Sequence, residues 1–206
     1  SLEQKALQLQ MNPHFIFNVL NGIKALGNTG KVEELNASIS QFSVLLRSIL
    51  TNSRKEEISL KEEINSLKNY IELEQNMSSK SFDYQISTNL NNIDSDEILI
   101  PTMLIQPFVE NAIEHGFQTK IKGNIEILFL VKYHFLECSI IDNGIGIHQS
   151  KMKKENSNHN SVAIKVSKER IKNISSKNSF YIDEIKENST IKGTKVWFKI
   201  PLKTDY

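Results

Sequence analysis

Cysteine is nearly absent from this sequence. Cys138 stands alone among 206 residues, which excludes an intramolecular disulfide and a zinc cluster built on cysteines, and fits a reducing compartment. Charge of one sign is missing as well. Lys plus Arg number 25 against 24 Asp plus Glu, and a net charge of +1 gives no electrostatic case for a polyanion, so no nucleic-acid partner is expected. A small charged ligand needs only a local site and stays open. No apolar run approaches the roughly 18 to 20 residues that cross a bilayer; the longest, Ile125 to Val131, carries its own Glu126. The chain also lacks a basic region followed by an apolar segment at its beginning. It opens as SLEQKALQLQ, with Leu2, Ala6 and Leu9 on one helical face, which reads as a helix cut mid-course and hence a fragment with sequence missing before it. The remainder, 39% hydrophobic and 24% charged, is ordinary for a folded chain of one or two domains.

Two helical stretches come first and meet at Gly27 to Lys31, where two glycines and an Asn mark a tight connection. In the second arm Val32, Leu35, Ile39, Phe42, Leu46 and Ile49 recur at steps of three and four, the seam of a helix bundle. A hairpin alone buries too little. Residues 1–56 are therefore expected to pair with a second copy as a dimeric four-helix bundle. The pattern restarts with Leu60, Ile64, Leu67 and Ile71 on one helical face, and Ser59 can cap that helix with Glu62 three residues on. From Phe82 the chain alternates. FDYQIST, NIEILFLVKY, FLECSIID, SFYIDEI and TKVWFKIPL read as strands, whereas TMLIQPFVENAIEHG, ended by Gly116, and AIKVSKERIKNIS read as helices. The expected architecture is α+β: the helical hairpin, then an α/β sandwich over residues 57–206 with helices on one face of a mixed sheet. Trp197, on an alternating strand, reads as core.

Two motifs are ambiguous singly. The helix around IQPFVENAIEHG sets Glu110, Asn111, Glu114 and His115 beside Ile105, Phe108, Val109 and Ile113, which also describes any amphipathic helix. IIDNGIGI ends a strand with Asp142, Gly144 and Gly146, which also describes a turn. Together they suggest a nucleotide pocket. Glycines let backbone approach a nucleotide, an Asp accepts from an adenine amino group, and an Asn oxygen is a hard ligand suited to Mg²⁺ on phosphates. Gly193 and Thr194, opening the last strand, supply a third element.

This order of Asn box, DxGxG and terminal GT resembles the GHKL (Bergerat) ATP-binding fold of histidine kinases, gyrase, Hsp90 and MutL, over Leu60 to Leu202. The N-terminal half narrows the branch. LQMNPHFIFNVLNGI is similar to the phosphoacceptor box LQxQINPHFLFNxLNxI of LytS-type sensor histidine kinases. IPTMLIQPFVENAIEHG resembles their IPPLLLQPLVENAIKHG, and ISLKEEINSLKNYIELEQ their LxxELxxLxxYLxLEQ. The resemblance implies that His14 is phosphorylated, that Asn111 binds Mg²⁺ and that Asp142 contacts adenine. Gly144, Gly146, Ala163, Lys165, Gly193, Thr194 and His115 become nucleotide-binding candidates, and Glu110 and Asn18 candidates for the catalytic site, Asn18 in an orienting role. The implied cofactors are ATP and Mg²⁺. The implied partners are a second copy and the receiver domain of a response regulator of the LytTR type, in the cytoplasmic part of a sensor held at a bacterial membrane by its missing N-terminal region.

Departures from the pattern matter too. In SVAIKVSKERI the chain keeps Ser161, Lys165, Glu169 and Arg170 but has Ala163 where the family's second glycine box carries glycine, which is tolerated unless the position needs a positive φ. Met77 and Ser78 replace the usual Arg-Phe pair. Phe15 follows His14 where many other histidine kinases have Asp or Glu, and Asn18 is no base at neutral pH, so the proton acceptor is unassigned. Pro13 must either kink the helix or restart it with Asn12 as cap. The loop from His148 to Asn160 has the polarity of a lid whose Lys151, Lys153 or Lys154 reach phosphates, and equally that of a plain solvated loop. His134, His148 and His159 lack ligand-like spacing. The expected reaction is transfer from ATP to His14 and on to an Asp of the regulator. The alternatives are an inactive nucleotide-binding or dimerisation scaffold, and an ATP hydrolase, which Pro107 disfavours by standing where gyrase-type enzymes carry their water-activating Glu.

Overall fold

The computed structural model describes residues 12–78, 80–116, 122–146, 158–175 and 178–206, with the side chains of His115, Gly116 and residues 158–161 left aside. Its first helix, α1 (Pro13–Asn28), restarts at the proline rather than kinking. Asn12 is the cap, its side-chain oxygen accepting the His14 backbone N–H at 3.0 Å. Pro13 takes the first helical position, where a missing N–H costs nothing. A turn with Gly30 at φ +69° leads into α2 (Val32–Asn52).

After α2 a short strand, β1 (Glu57–Ser59), delivers Ser59 as the cap of α3 (Leu60–Met77). The capping box forms in both directions: Glu62 N–H to the Ser59 hydroxyl at 3.1 Å, and Ser59 N–H to the Glu62 carboxylate at 3.0 Å. Helix α3 packs against both α1 and α2. The Phe15 ring lies 4.7 Å from that of Tyr70, centroid to centroid. At Gly22 a Cβ would come within 2.3 Å of the Met77 sulfur, so the glycine lets the Met77 side chain lie directly on α1. The hairpin's seam divides accordingly. Ile49 is buried, Leu35, Phe42 and Leu46 are half-buried, and Val32 and Ile39 stay exposed with Phe17 and Leu20 of α1.

The sheet runs in the order β2-β4-β5-β7-β6, from β2 (Phe82–Asn89), β4 (Gly123–Lys132), β5 (Phe135–Asp142), β6 (Phe180–Glu187) and β7 (Thr190–Pro201). The pair β2–β4 is parallel and the other three are antiparallel. Asn188 and Ser189, both at positive φ, form the tight β6–β7 turn. A separate two-stranded ladder joins β1 to β3 (Leu99–Pro101). Period-two alternation buries Ile125, Ile127, Phe129 and Val131 of β4, Leu136, Cys138 and Ile140 of β5, and Val196, Phe198 and Ile200 of β7. Helices α4 (Gln106–Asn111) and α5 (Asn158–Ile174) pack against each other, and α5 packs on β6 and β7.

Three expectations need correction. Trp197 is not core: it lies on the other face of β7, half-exposed and stacked on Tyr181 at 5.0 Å. Alternation defines two faces but not which one the helices cover. The helix expected from Thr102 to Gly116 is α only over Gln106–Asn111, followed by a π-helical turn at Ala112–Gly116. Pro107 near its start lacks an N–H, and Thr102 is held elsewhere, its hydroxyl donating to the Lys55 carbonyl at 2.9 Å and its own carbonyl accepting from Arg170 at 2.8 Å. Finally, α5 starts earlier than the apolar pattern indicates.

Glu63 of α3 is buried, accepts the Ile105 N–H at 3.4 Å and faces Arg170. Burial raises its carboxyl from 4.5 to about 7. Between those two values the native chain holds a proton that the unfolded chain releases, so stability falls as pH rises through this window. Glu63→Gln is expected to flatten that segment of a denaturation-versus-pH curve, and an unchanged slope would refute the assignment. Phe15→Ala is expected to cost about 3–5 kcal/mol in chemical denaturation, against about 1 kcal/mol for loss of the cap in Ser59→Ala.

Candidate functional site

Strand register assembles the first half of the site. Asp142, the last residue of β5, pairs with Thr194 on β7, so the DxGxG and GT segments meet although about fifty positions separate them. At Gly193 a Cβ would sit 1.8 Å from the Asp142 carbonyl oxygen, an approach that no other residue permits. Gly146 has φ +82° and a Cβ there would meet Ile191 at 2.6 Å. The Asp142 carboxylate is buried and accepts the Gly144 N–H at 2.9 Å. Burial pushes it up to about 6, opposed by the backbone N–H groups of Gly144 and Thr194. At neutral pH it is therefore mostly ionised, an acceptor for a ligand's amino group. Asn143 anchors the loop, its side-chain oxygen accepting from the Asn124 N–H at 2.6 Å.

Helix α4 ends in Asn111, half-buried, after Glu110, fully enclosed. Gln106 donates to the Glu110 carboxyl at 2.8 Å, and burial pushes that carboxyl up to about 8. It is thus protonated at neutral pH and suited to donating a hydrogen bond rather than abstracting a proton. A cavity of about 340 Å³ lies between α4 and α5, with Pro107, Glu110, Ala163 and Arg170 among its lining. Ala163 is buried within α5 and is not among the positive-φ residues, so the helix accepts alanine there without strain. Lys165 is exposed on α5. The side chains of His115 and His159 lie outside the described residues, as do Lys151, Lys153, Lys154 and His148 of the expected lid.

His14 occupies a different place. It is exposed on the first turn of α1, with its Nδ1 3.3 Å from the Asn18 amide nitrogen. A cavity of about 210 Å³ beside it is lined also by Asn18, Tyr70, Glu74, Lys80 and Glu114. The Asn12 amide donates to Glu114 at 2.7 Å, tying the cap of α1 to the π-helical turn after Asn111. The Lys80 ammonium donates to the Ile113 and Glu114 carbonyls at 2.5 and 2.6 Å, closing the end of that turn. Asp142 and Gly193 line neither cavity. Thus the structure joins Asp142 to Thr194 and Glu110 to Ala163, and sets His14 beside the turn that follows Asn111.

Sequence reasoning missed Glu74, Tyr70 and Lys80 as neighbours of His14. Tyr70 and Glu74 belong to the YIELEQ segment, whose spacing of four gives the signal; Lys80 has none. Gly193→Ala is expected to lower stability by about 1–3 kcal/mol and to weaken binding of a fluorescent ATP analogue, whereas Gly27→Ala, with only Leu35 at 4.0 Å, leaves both intact. Thermal melts and analogue titrations check this.

Comparison with known proteins gives a consistent result. A histidine kinase model matches residues 2–82, and the model of histidine kinase-, DNA gyrase B- and HSP90-like ATPases matches residues 96–204. The sensor protein LytS of Staphylococcus epidermidis is 37% identical over 150 residues, covering 70% of this chain and 24% of that protein. The sensor histidine kinase/phosphatase LytS of Staphylococcus aureus is 37% identical over 155 residues, covering 73% and 25%. The chain therefore spans about a quarter of the length of these relatives. Among solved structures, the histidine kinase domain of a blue-light activated histidine kinase from Erythrobacter litoralis shares the fold, with a TM-score of 0.52, 13% identity and coverage of 98% of this chain and 95% of that one. An Asp buried against a glycine strand, an Asn-ended helix and a capped, exposed histidine thus coincide with matches on both halves, and the chain belongs to the histidine kinase-, DNA gyrase B- and HSP90-like ATPase family, with LytS sensor proteins among its relatives.

Proposed function

We propose that this chain is the kinase core of a two-component sensor: it transfers the γ-phosphoryl group of ATP to His14 and from there to an Asp on a response regulator. The observation that carries the reading is the placement of His14, exposed on the first turn of a capped helix, in a chain that also builds the Asp142–Gly193 cradle. Residues 1–56 act as the dimerisation and phosphoacceptor hairpin and residues 57–206 as the ATP-binding part. Asp142 takes the adenine amino group, while Gly144, Gly146, Gly193 and Thr194 allow close backbone approach. His115, Ala163 and Lys165 complete the nucleotide surface, and Glu110 acts through its protonated carboxyl.

Asn111 supplies one hard oxygen at the end of α4, and the described residues contain no cluster of three His, Cys, Asp or Glu. That donor set fits Mg²⁺, which keeps water and phosphate oxygens and needs few protein ligands. The ion would neutralise phosphate charge during transfer. The chain's own part is to align the imidazole with the phosphoryl group, and Asn18 orients the ring through Nδ1. The exposed stripe of Phe17, Leu20, Val32 and Ile39 supports a homodimer through the hairpin. The regulator is of the LytTR type, and the core works in the cytoplasm beneath a membrane-anchored sensor region.

Two alternatives lose ground. The scaffold reading drew on Ala163, which the helix accommodates, and on the lack of a base next to His14 in sequence, and the hydrolase reading lacks a carboxylate at Pro107. Incubation with γ-labelled ATP and Mg²⁺ is expected to give acid-labile, alkali-stable label on the chain, absent in His14→Gln. Label persisting in that variant would sink the assignment, and steady phosphate release without labelled protein would favour the hydrolase.

A further inference from the structure

Phosphorylating an imidazole releases a proton, and the residues adjoining His14 in sequence cannot take it: Phe15 has no acid–base chemistry and Asn18 is not a base at neutral pH. Two carboxyls nevertheless line the cavity beside His14, Glu74 of α3 and Glu114 of the π-helical turn. They are not equivalent. Glu114 accepts the Asn12 amide at 2.7 Å and belongs to the turn that follows Asn111. Glu74 belongs to the helix on which α1 is seated. The Phe15–Tyr70 ring contact lies one turn before it, and the Gly22–Met77 contact three residues after it. Glu74 is therefore fixed relative to His14 by packing on both sides, and accompanies it if the three helices move as a body.

We propose that Glu74 is the proton acceptor for His14, an assignment that rests on reading His14 as the phosphoacceptor. One ring nitrogen forms a bond to the γ-phosphorus as the bond from phosphorus to the β,γ-bridging oxygen breaks, its electron pair leaving with ADP. The proton on the other ring nitrogen passes through water admitted to the cavity and ends on the Glu74 carboxylate. The products are a neutral phosphoimidazole and a carboxylic acid. A cavity of about 210 Å³ has room for such a relay.

The groups facing Glu74 favour this role. The Tyr70 hydroxyl donates to it at 3.4 Å from the same helix, Lys80 faces it as a cation from the segment before β2, Glu114 faces it as a like charge, and His14 faces the shared cavity from α1. Burial outweighs the rest and raises its carboxyl from 4.5 to about 7. A base with that value is substantially ionised at physiological pH yet strong enough to keep the proton.

The test uses the 206-residue chain, single-turnover labelling from γ-labelled ATP across pH, and two variants. Glu74→Gln keeps the shape and is expected to slow labelling about 100-fold with affinity for an ATP analogue unchanged. Glu74→Ala opens space, and its rate is expected to rise in proportion to added formate, which Glu74→Gln does not respond to. In the nucleotide-free wild type, the Glu74 carboxyl carbon is expected to titrate near pH 7 by NMR. Labelling of Glu74→Gln at the wild-type rate overturns the proposal alone, as does slow labelling of both variants without a formate response. Label persisting in His14→Gln overturns the underlying reading and this proposal with it.

Discussion

Helix α3 is buried from two directions, and each direction constrains a different part of the molecule. On one side Tyr70 and Met77 receive Phe15 and Gly22 of α1, and Ser66 and Glu72 meet Ser48 and Gln41 of α2. On the other, Glu63 accepts the Ile105 N–H just before α4, and Gln75 and Glu72 bond the Phe82 carbonyl and Tyr84 hydroxyl of β2. One hydrophobic core consequently runs from Phe15 to Ile200 without a break. A two-helix hairpin could not bury enough surface to stand alone, and α3 supplies part of the missing cover from the same chain. The placement of His14 is thus set by packing on a helix that also holds β2 and the start of α4. Phe17, Leu20, Val32 and Ile39 of the hairpin are left exposed by this packing.

Much of this was legible in sequence because it is local. The Ser59–Glu62 capping box and the five long strands depend on neighbours within a few positions, and their patterns point to one answer each, whereas the Asn12 cap was one of two outcomes open at Pro13. The order Asn111, Asp142, Gly193 indicated a pocket, although only the β5–β7 register shows that Gly193 lies against the Asp142 carbonyl. What escaped is what depends on distant pairing. Strands β1 and β3 have three residues each and exist because they pair across forty positions. The Asn12–Glu114 bond spans 102 positions. The π-helical turn has no distinct residue pattern, and the division of the α2 seam depends on where α3 lies.

A net charge near zero conceals an unusual distribution of acid groups. Glu63, Glu74, Glu110 and Asp142 are all buried, and in each case burial is the largest influence, raising the carboxyl above its ordinary range. Their surroundings separate them. Glu110 has the Gln106 amide but faces the like charges of Glu114 and Glu74 and is pushed up to about 8, whereas Asp142 has two backbone N–H groups and is pushed up to about 6. The carboxylate at the end of β5 is thus the one of the two held closer to its ordinary range.

Asn12 resolves the tension created by Pro13. The proline gives the helix a firm start but contributes no N–H, so the first free donor belongs to His14, and the Asn12 oxygen takes it at 3.0 Å. The other end of the same amide holds Glu114, and the capping geometry is thereby coupled to the turn after Asn111. With its backbone N–H committed to the cap, His14 projects its ring from the first helical turn, where the aligned peptide dipoles present partial positive charge. Negative charge placed on that ring would sit at the end of the helix best able to accommodate it. The Asn-Pro-His order thus does more than expose an imidazole: it sets the ring in a field that favours negative charge while the Asn12 side chain keeps contact with the turn after Asn111.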